Sequence, residues 1–158
     1  MRGLILGVLA GAALGGAGAA AEVGPADVAF GPDGQVAASL TGAPGNPAEG
    51  RKVLADRGLG NCVACHAVSE MGDVPFHGDV GPTLDGVADR WDEAMLRGIL
   101  VNPKNVYEGT VMPAFYKSTG FTRPGVGFTR KPAQEPLPPL LSAQQIEDVV
   151  AYLMTLKE

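Results

Sequence analysis

The chain has 158 residues, with 12 Lys+Arg against 17 Asp+Glu for a net charge of −5, and is 46% hydrophobic but only 6% aromatic. That length holds one domain with a modest core. An acidic chain of this kind is a poor nucleic-acid binder, and two cysteines rule out a disulfide-dense scaffold.

The first segment, "MRGLILGVLAGAALGGAGAAAE", has one basic residue, Arg2, then an apolar run from Leu4 to about Leu14, then small residues ending at Ala21. This pattern predicts an export leader over residues 1–21, cut before Glu22. The run is short and glycine-rich, and no basic stop-transfer cluster follows it, which disfavours a membrane anchor.

Residues 22–45 are rich in Gly, Pro and Ala and read as an extended arm or wrapped loop rather than a core element. "NPAEGRKVLADRG" then predicts a helix in which Asn46 is the N-cap, Pro47 the first helical residue, and Glu49 the partner in a capping box. Residues 71–89 show no sustained period and read as loop, "DRWDEAMLRGILVNP" reads as one helix, and residues 104–139 read as loop again. The closing helix is written most clearly. Ser142 is its N-cap, Gln145 completes a capping box, Leu141 and Ile146 form a staple, and Ile146, Val149, Val150, Leu153 and Met154 form one apolar stripe.

Both cysteines and one of the two histidines fall within "CVACH", residues 62–66. Cys-x-x-Cys-His is the sequence form of covalent c-type haem attachment. Two thiols at this spacing can each add to one vinyl group, and the adjacent imidazole reaches under the ring to the iron. A thioredoxin-like dithiol would want a βαβ context, and a zinc site would need more Cys and His ligands than the chain has. The reading is therefore one haem c on Cys62 and Cys65, with His66 as the proximal iron ligand. A buried macrocycle would also supply much of the core for a domain with such long loops.

Candidates for the sixth iron position are His77, Met71, Met95, Met112 and Met154. Met95 and Met154 sit in amphipathic helices, where methionine is usually core filler, and Met71 follows His66 too closely to cross the ring. Met112, in a loop stiffened by Pro113 and flanked by Phe115 and Tyr116, is preferred, with His77 the rival. A thioether favours reduced iron and fills the site, which points to electron transfer. In "GPTLDGVADR" the Pro82 carbonyl is expected near the free ring nitrogen of His66, and Arg90 is expected to pair with a haem propionate.

"CVACH", "GPTLDGVADR", "MPAF" and the closing helix resemble a class I cytochrome c, which implies an all-α fold of a few helices and long loops wrapped around one covalent haem. Within that class, residues 39–68, 111–116 and 141–157 resemble the SoxX family of mono-haem cytochromes. The resemblance implies a periplasmic heterodimer with a SoxA-type haem subunit. That pair couples thiosulfate oxidatively to a cysteine of a SoxY-type carrier protein, an S-thiosulfotransferase activity with its substrate chemistry on the partner. The SoxX-like chain passes electrons to a small cytochrome c. Residues 46–158 would form the cytochrome domain. The alternative is a free periplasmic electron shuttle, and the arm before Asn46, useful for wrapping a partner, favours the subunit.

Overall fold

The computed structural model of the chain describes residues 21–122 and 131–158. The leader expected over residues 1–21 therefore lies outside the described residues except for Ala21, as does the middle of the Pro-rich stretch at 121–139. The described residues hold four α-helices, α1 (Pro47–Ala55), α2 (Val87–Arg90), α3 (Glu93–Val101) and α4 (Ala143–Leu153). Single 3₁₀ turns lie at Cys62–Ala64, Ser69–Met71 and Pro103–Asn105, and there is no strand among these residues.

Helix α1 starts where the sequence says it should. The Asn46 side chain accepts from the Ala48 N–H at 3.0 Å, and Pro47, which has no N–H to satisfy, occupies the first turn. The expected capping box does not form. The Asn46 N–H that Glu49 would have taken is bonded instead to Asp148 Oδ1 at 2.8 Å, and Glu49 pairs with Lys52 Nζ at 2.7 Å. A partner about a hundred residues away outcompetes the local one. At α4 the local pattern holds. Ser142 accepts from the Gln145 N–H at 3.2 Å, the Gln145 side chain accepts from the Ser142 N–H at 2.9 Å, and Leu141 and Ile146 are both buried in the core.

The two terminal helices cross in direct backbone contact. A Cβ on Gly50 would stand 1.9 Å from the Asp148 carbonyl oxygen, and one on Gly45 would stand 2.1 Å from that of Glu147. Any side chain at position 50 would push α4 away. Val53 and Leu54 of α1 share the core with Ile146, Val149, Val150 and Leu153 of α4.

The single helix expected across "DRWDEAMLRGILVNP" is two. Trp91 is extended (φ −138°, ψ 140°) between α2 and α3, because Asp92 starts α3 afresh by accepting from the Met95 N–H at 2.9 Å. The arm also departs from expectation. It has no regular structure, yet it supplies Val36 and Leu40 to the core, and the Val36 N–H donates to the Ala94 carbonyl at 2.9 Å.

What fastens the arm is a buried ion pair. Arg97 on α3 donates through Nε and Nη2 to the Glu147 carboxylate on α4 at 2.9 and 3.0 Å, and through Nη1 to the Val36 carbonyl at 2.9 Å. The Leu40 N–H donates to the same carboxylate at 2.8 Å. Each side chain is 5% exposed. Removing one member of a buried pair strands the other charge, whereas replacing both with apolar residues of similar volume is tolerated far better. Glu147→Ala should therefore destabilise the haem-loaded protein by about 3–5 kcal/mol, and Glu147→Leu with Arg97→Met should cost clearly less. Denaturant midpoints of the three proteins check this ordering.

Candidate haem site

The chain turns out of α1 through a set of backbone bonds. Asp56 accepts from the N–H groups of Leu59 and Asn61 at 3.1 and 3.0 Å, and Val53 accepts from Gly60 at 3.1 Å. Asn61 stands in the left-handed region (φ 47°), which few residue types other than Gly, Asn and Asp adopt readily. It launches the 3₁₀ turn in which the N–H groups of Cys65 and His66 both donate to the Cys62 carbonyl, at 3.1 and 3.0 Å. This turn brings Cys62, Cys65 and His66 together, each half-buried. Burial pushes the Cys62 thiol up to about 12.

His66 is held from one side by a second segment. Its Nδ1 lies 2.6 Å from the Pro82 carbonyl oxygen. A carbonyl only accepts, so Nδ1 carries the proton and Nε2 keeps its lone pair, the tautomer an axial iron ligand requires. The bare Cα of Gly81 lies against the ring, where a Cβ would stand 2.3 Å from His66 Cε1. Residues 81–85 run beside 65–69. The Gly81 N–H donates to the Cys65 carbonyl at 2.8 Å, and the Leu84 N–H and Thr83 hydroxyl donate to the Ala67 carbonyl at 2.9 and 3.2 Å. Arg90 reaches back from α2 to the carbonyls of Asp85 and Thr83 at 2.7 and 2.9 Å. Its guanidinium, expected on a propionate, is thus engaged with the loop that carries Pro82.

Met112 lies in a segment hung from the end of α3. The Phe115 and Tyr116 N–H groups donate to the Leu100 and Val101 carbonyls at 3.0 and 3.3 Å, and both rings are buried in the core. The Tyr116 hydroxyl donates to the Val23 carbonyl of the arm at 2.8 Å, and burial pushes it up to about 12. Nearer Met112, Lys104 Nζ donates to the Met112 carbonyl, and the Met112 N–H donates to the Thr110 hydroxyl at 3.2 Å. The Met112 side chain is half-buried against the core.

Among the other candidates for the sixth position, Met95 on α3 is half-buried. Met71 is fully buried, and Met154 packs partly buried against the core. The Val68 N–H donates to His77 Nδ1 at 3.3 Å, so Nε2 bears the proton of the neutral ring, and that nitrogen is buried without a partner. In this tautomer His77 offers no free lone pair. The residues whose chemistry fits a haem c are Cys62 and Cys65, which would form the thioether links, and His66, whose Nε2 would meet the iron.

Residues 47–157 match the family model for cytochrome c. The chain belongs to the cytochrome c family. A solved structure, SoxXA from P. pantotrophus, contains a chain 58% identical to this one, with a TM-score of 0.83 over 87% of this chain and all of that one. No curated protein matches at a significant level. At that identity the chain is a SoxX-type electron-transfer cytochrome of all-α, class I fold. It carries one haem c, since "CVACH" is its single Cys-x-x-Cys-His motif.

Sequence reasoning missed Gly81 as a contact of His66 and missed Asp85, described below. Both lie inside "GPTLDGVADR", where composition distinguishes neither from an ordinary turn residue. Gly81→Ala should force the His66 ring off the Pro82 carbonyl while both thioether links survive. The expected result is covalent haem retained on a denaturing gel with a changed low-spin ferric electron paramagnetic resonance spectrum.

Proposed function

We propose that this chain is the electron-transfer subunit of a periplasmic SoxXA-type complex, reached after removal of residues 1–21, with residues 22–45 as an arm on the cytochrome domain 46–158. The observation that carries this reading is the 58% identity to a chain of SoxXA along its whole length. Among the described residues no helix is long and apolar enough to cross a membrane. The partner is a SoxA-type haem subunit, where a carrier-protein cysteine of SoxY type is joined to thiosulfate. A thiol and thiosulfate become a sulfur–sulfur bond with release of one proton and two electrons, and the electrons leave for a small cytochrome c.

When bound, haem c supplies one-electron oxidation and reduction of its iron. The chain's own residues do the rest. Cys62 and Cys65 hold the ring covalently, and the Pro82 carbonyl holds the Nδ1 proton of His66, making Nε2 a stronger and better-aimed donor. Met112 would supply the second iron ligand, a thioether, which favours reduced iron more than a second imidazole does. Arg90 keeps residues 83–85 in place below that bond. With no thiol beyond the haem pair, the chain is suited to relay electrons for chemistry performed elsewhere.

A free periplasmic shuttle is the second reading, and one observation favours it: the arm is spent on its own domain through Val36 and Leu40. Affinity purification of the tagged mature chain from its native periplasm separates the two. A second haem-staining band that stays through gel filtration supports the subunit, and a lone band leaves the shuttle. Met112→Ala should lower the reduction potential and abolish the thioether-to-ferric charge-transfer band while the haem stays attached. Persistence of that band would assign the sixth ligand elsewhere.

A further inference from the structure

The bond from His66 Nδ1 to the Pro82 carbonyl depends on where residues 81–85 sit along residues 65–69. Proline has no N–H, so Pro82 cannot anchor itself in this ladder. Upstream, the Gly81 N–H is tied to Cys65. Downstream, the Thr83 hydroxyl and Leu84 N–H are tied to the Ala67 carbonyl, and the outermost tie is an ionised side chain: Asp85 Oδ1 accepts from the Ser69 N–H at 2.8 Å and Oδ2 from the Ser69 hydroxyl at 2.6 Å. His66 to Pro82 and Ser69 to Asp85 have the same separation of 16 residues, so both contacts belong to one register.

An aspartate just before a helix is ordinarily there to cap it. Here Gly86 is the N-cap of α2, with no side-chain cap bond, and the carboxylate faces Ser69 instead. Those two bonds hold the Asp85 carboxyl below its ordinary value, so it is ionised at neutral pH, when charge-assisted bonds are strongest. The loop is also held by the Thr83 hydroxyl, which accepts from the Asp85 N–H at 3.2 Å, and by Arg90 on the Asp85 carbonyl.

We propose that Asp85 is a positioning residue for the axial histidine: clamped on Ser69, it fixes the pitch of residues 81–85 so that the Pro82 carbonyl stays on the His66 Nδ1–H. Weakening that bond reduces the electron donation of the imidazole, which favours ferrous iron and raises the reduction potential. A merely structural brace would change stability and leave potential and ring proton alone.

The test uses the haem-loaded mature protein and reads two quantities, the reduction potential and solvent exchange of the His66 Nδ1–H in the ferric protein by nuclear magnetic resonance. Asp85→Ala should shift the reduction equilibrium toward ferrous iron by up to about tenfold and speed Nδ1–H exchange. Asp85→Asn removes the charge but keeps an acceptor for the Ser69 N–H and a donor for its hydroxyl, so it should stay near the parent in both. Equal shifts in the Asn and Ala variants would mean a through-space charge effect and overturn the proposal, as would an unchanged Ala variant. Should Asp85→Ala fail to retain haem, Ser69→Ala removes only the hydroxyl bond. It should move both quantities in the same direction by less, and no movement there would also overturn the proposal. None of these readings involves a partner protein, so the subunit assignment can fail independently.

Discussion

The structure turns on the Arg97–Glu147 pair. Two charges in a small core are costly to desolvate, and the cost is offset only when every lone pair and proton finds a partner. Here Glu147 takes Arg97 on both oxygens and the Leu40 N–H besides, and the third guanidinium nitrogen reaches Val36. One contact thereby sets the arm, α3 and α4 relative to one another. Because α4 is pressed on α1 at Gly50, and α1 leads into the Cys62–Ala64 turn, the same contact fixes the segment bearing Met112 relative to the segment bearing His66.

The segments bearing His66 and Met112 are held by different means. His66 is held by a backbone ladder with a glycine pressed on its ring, a design that leaves the imidazole little freedom and decides its tautomer without any other titrating group. Met112 is reached by a loop whose ends are tied to α3 and whose centre is steadied by Lys104 and Thr110. Pre-orientation of this kind suits a centre that changes charge without exchanging ligands, because the surrounding dipoles are already in place.

How much of this could be read from the sequence follows the range of each interaction. The Asn46 and Ser142 caps depend on residues within a few positions, and they appear where expected. The capping role of Glu49 failed because Asp148, remote in sequence, takes the Asn46 N–H. The continuous helix through Trp91 failed because Asp92 is an N-cap as readily as a first-turn acid, and the sequence does not say which. Arg97 and Glu147 each read as one more charge on an amphipathic helix. Only the fold, which places them face to face across fifty residues, makes them core.

The arm shows how composition can mislead about partners. Its glycine and proline content looked superfluous for a lone carrier and therefore suited to wrapping another protein. In the fold Val36 and Leu40 point inward while Phe30 stays exposed, backbone bonds of the arm go to Ala94, Arg97 and Glu147, and Gly34 (φ 84°) passes so close to Asn105 that a Cβ would stand 2.7 Å from that carbonyl oxygen. Small and bend-prone residues are what a chain needs to follow its own surface that tightly. The arm is accounted for as a strap holding α3 against α4, and it ceases to argue for a second subunit. That case rests instead on a different fact: the resemblance to the SoxXA chain is full-length on that side and covers 87% of this one, well beyond what the haem motif alone would share.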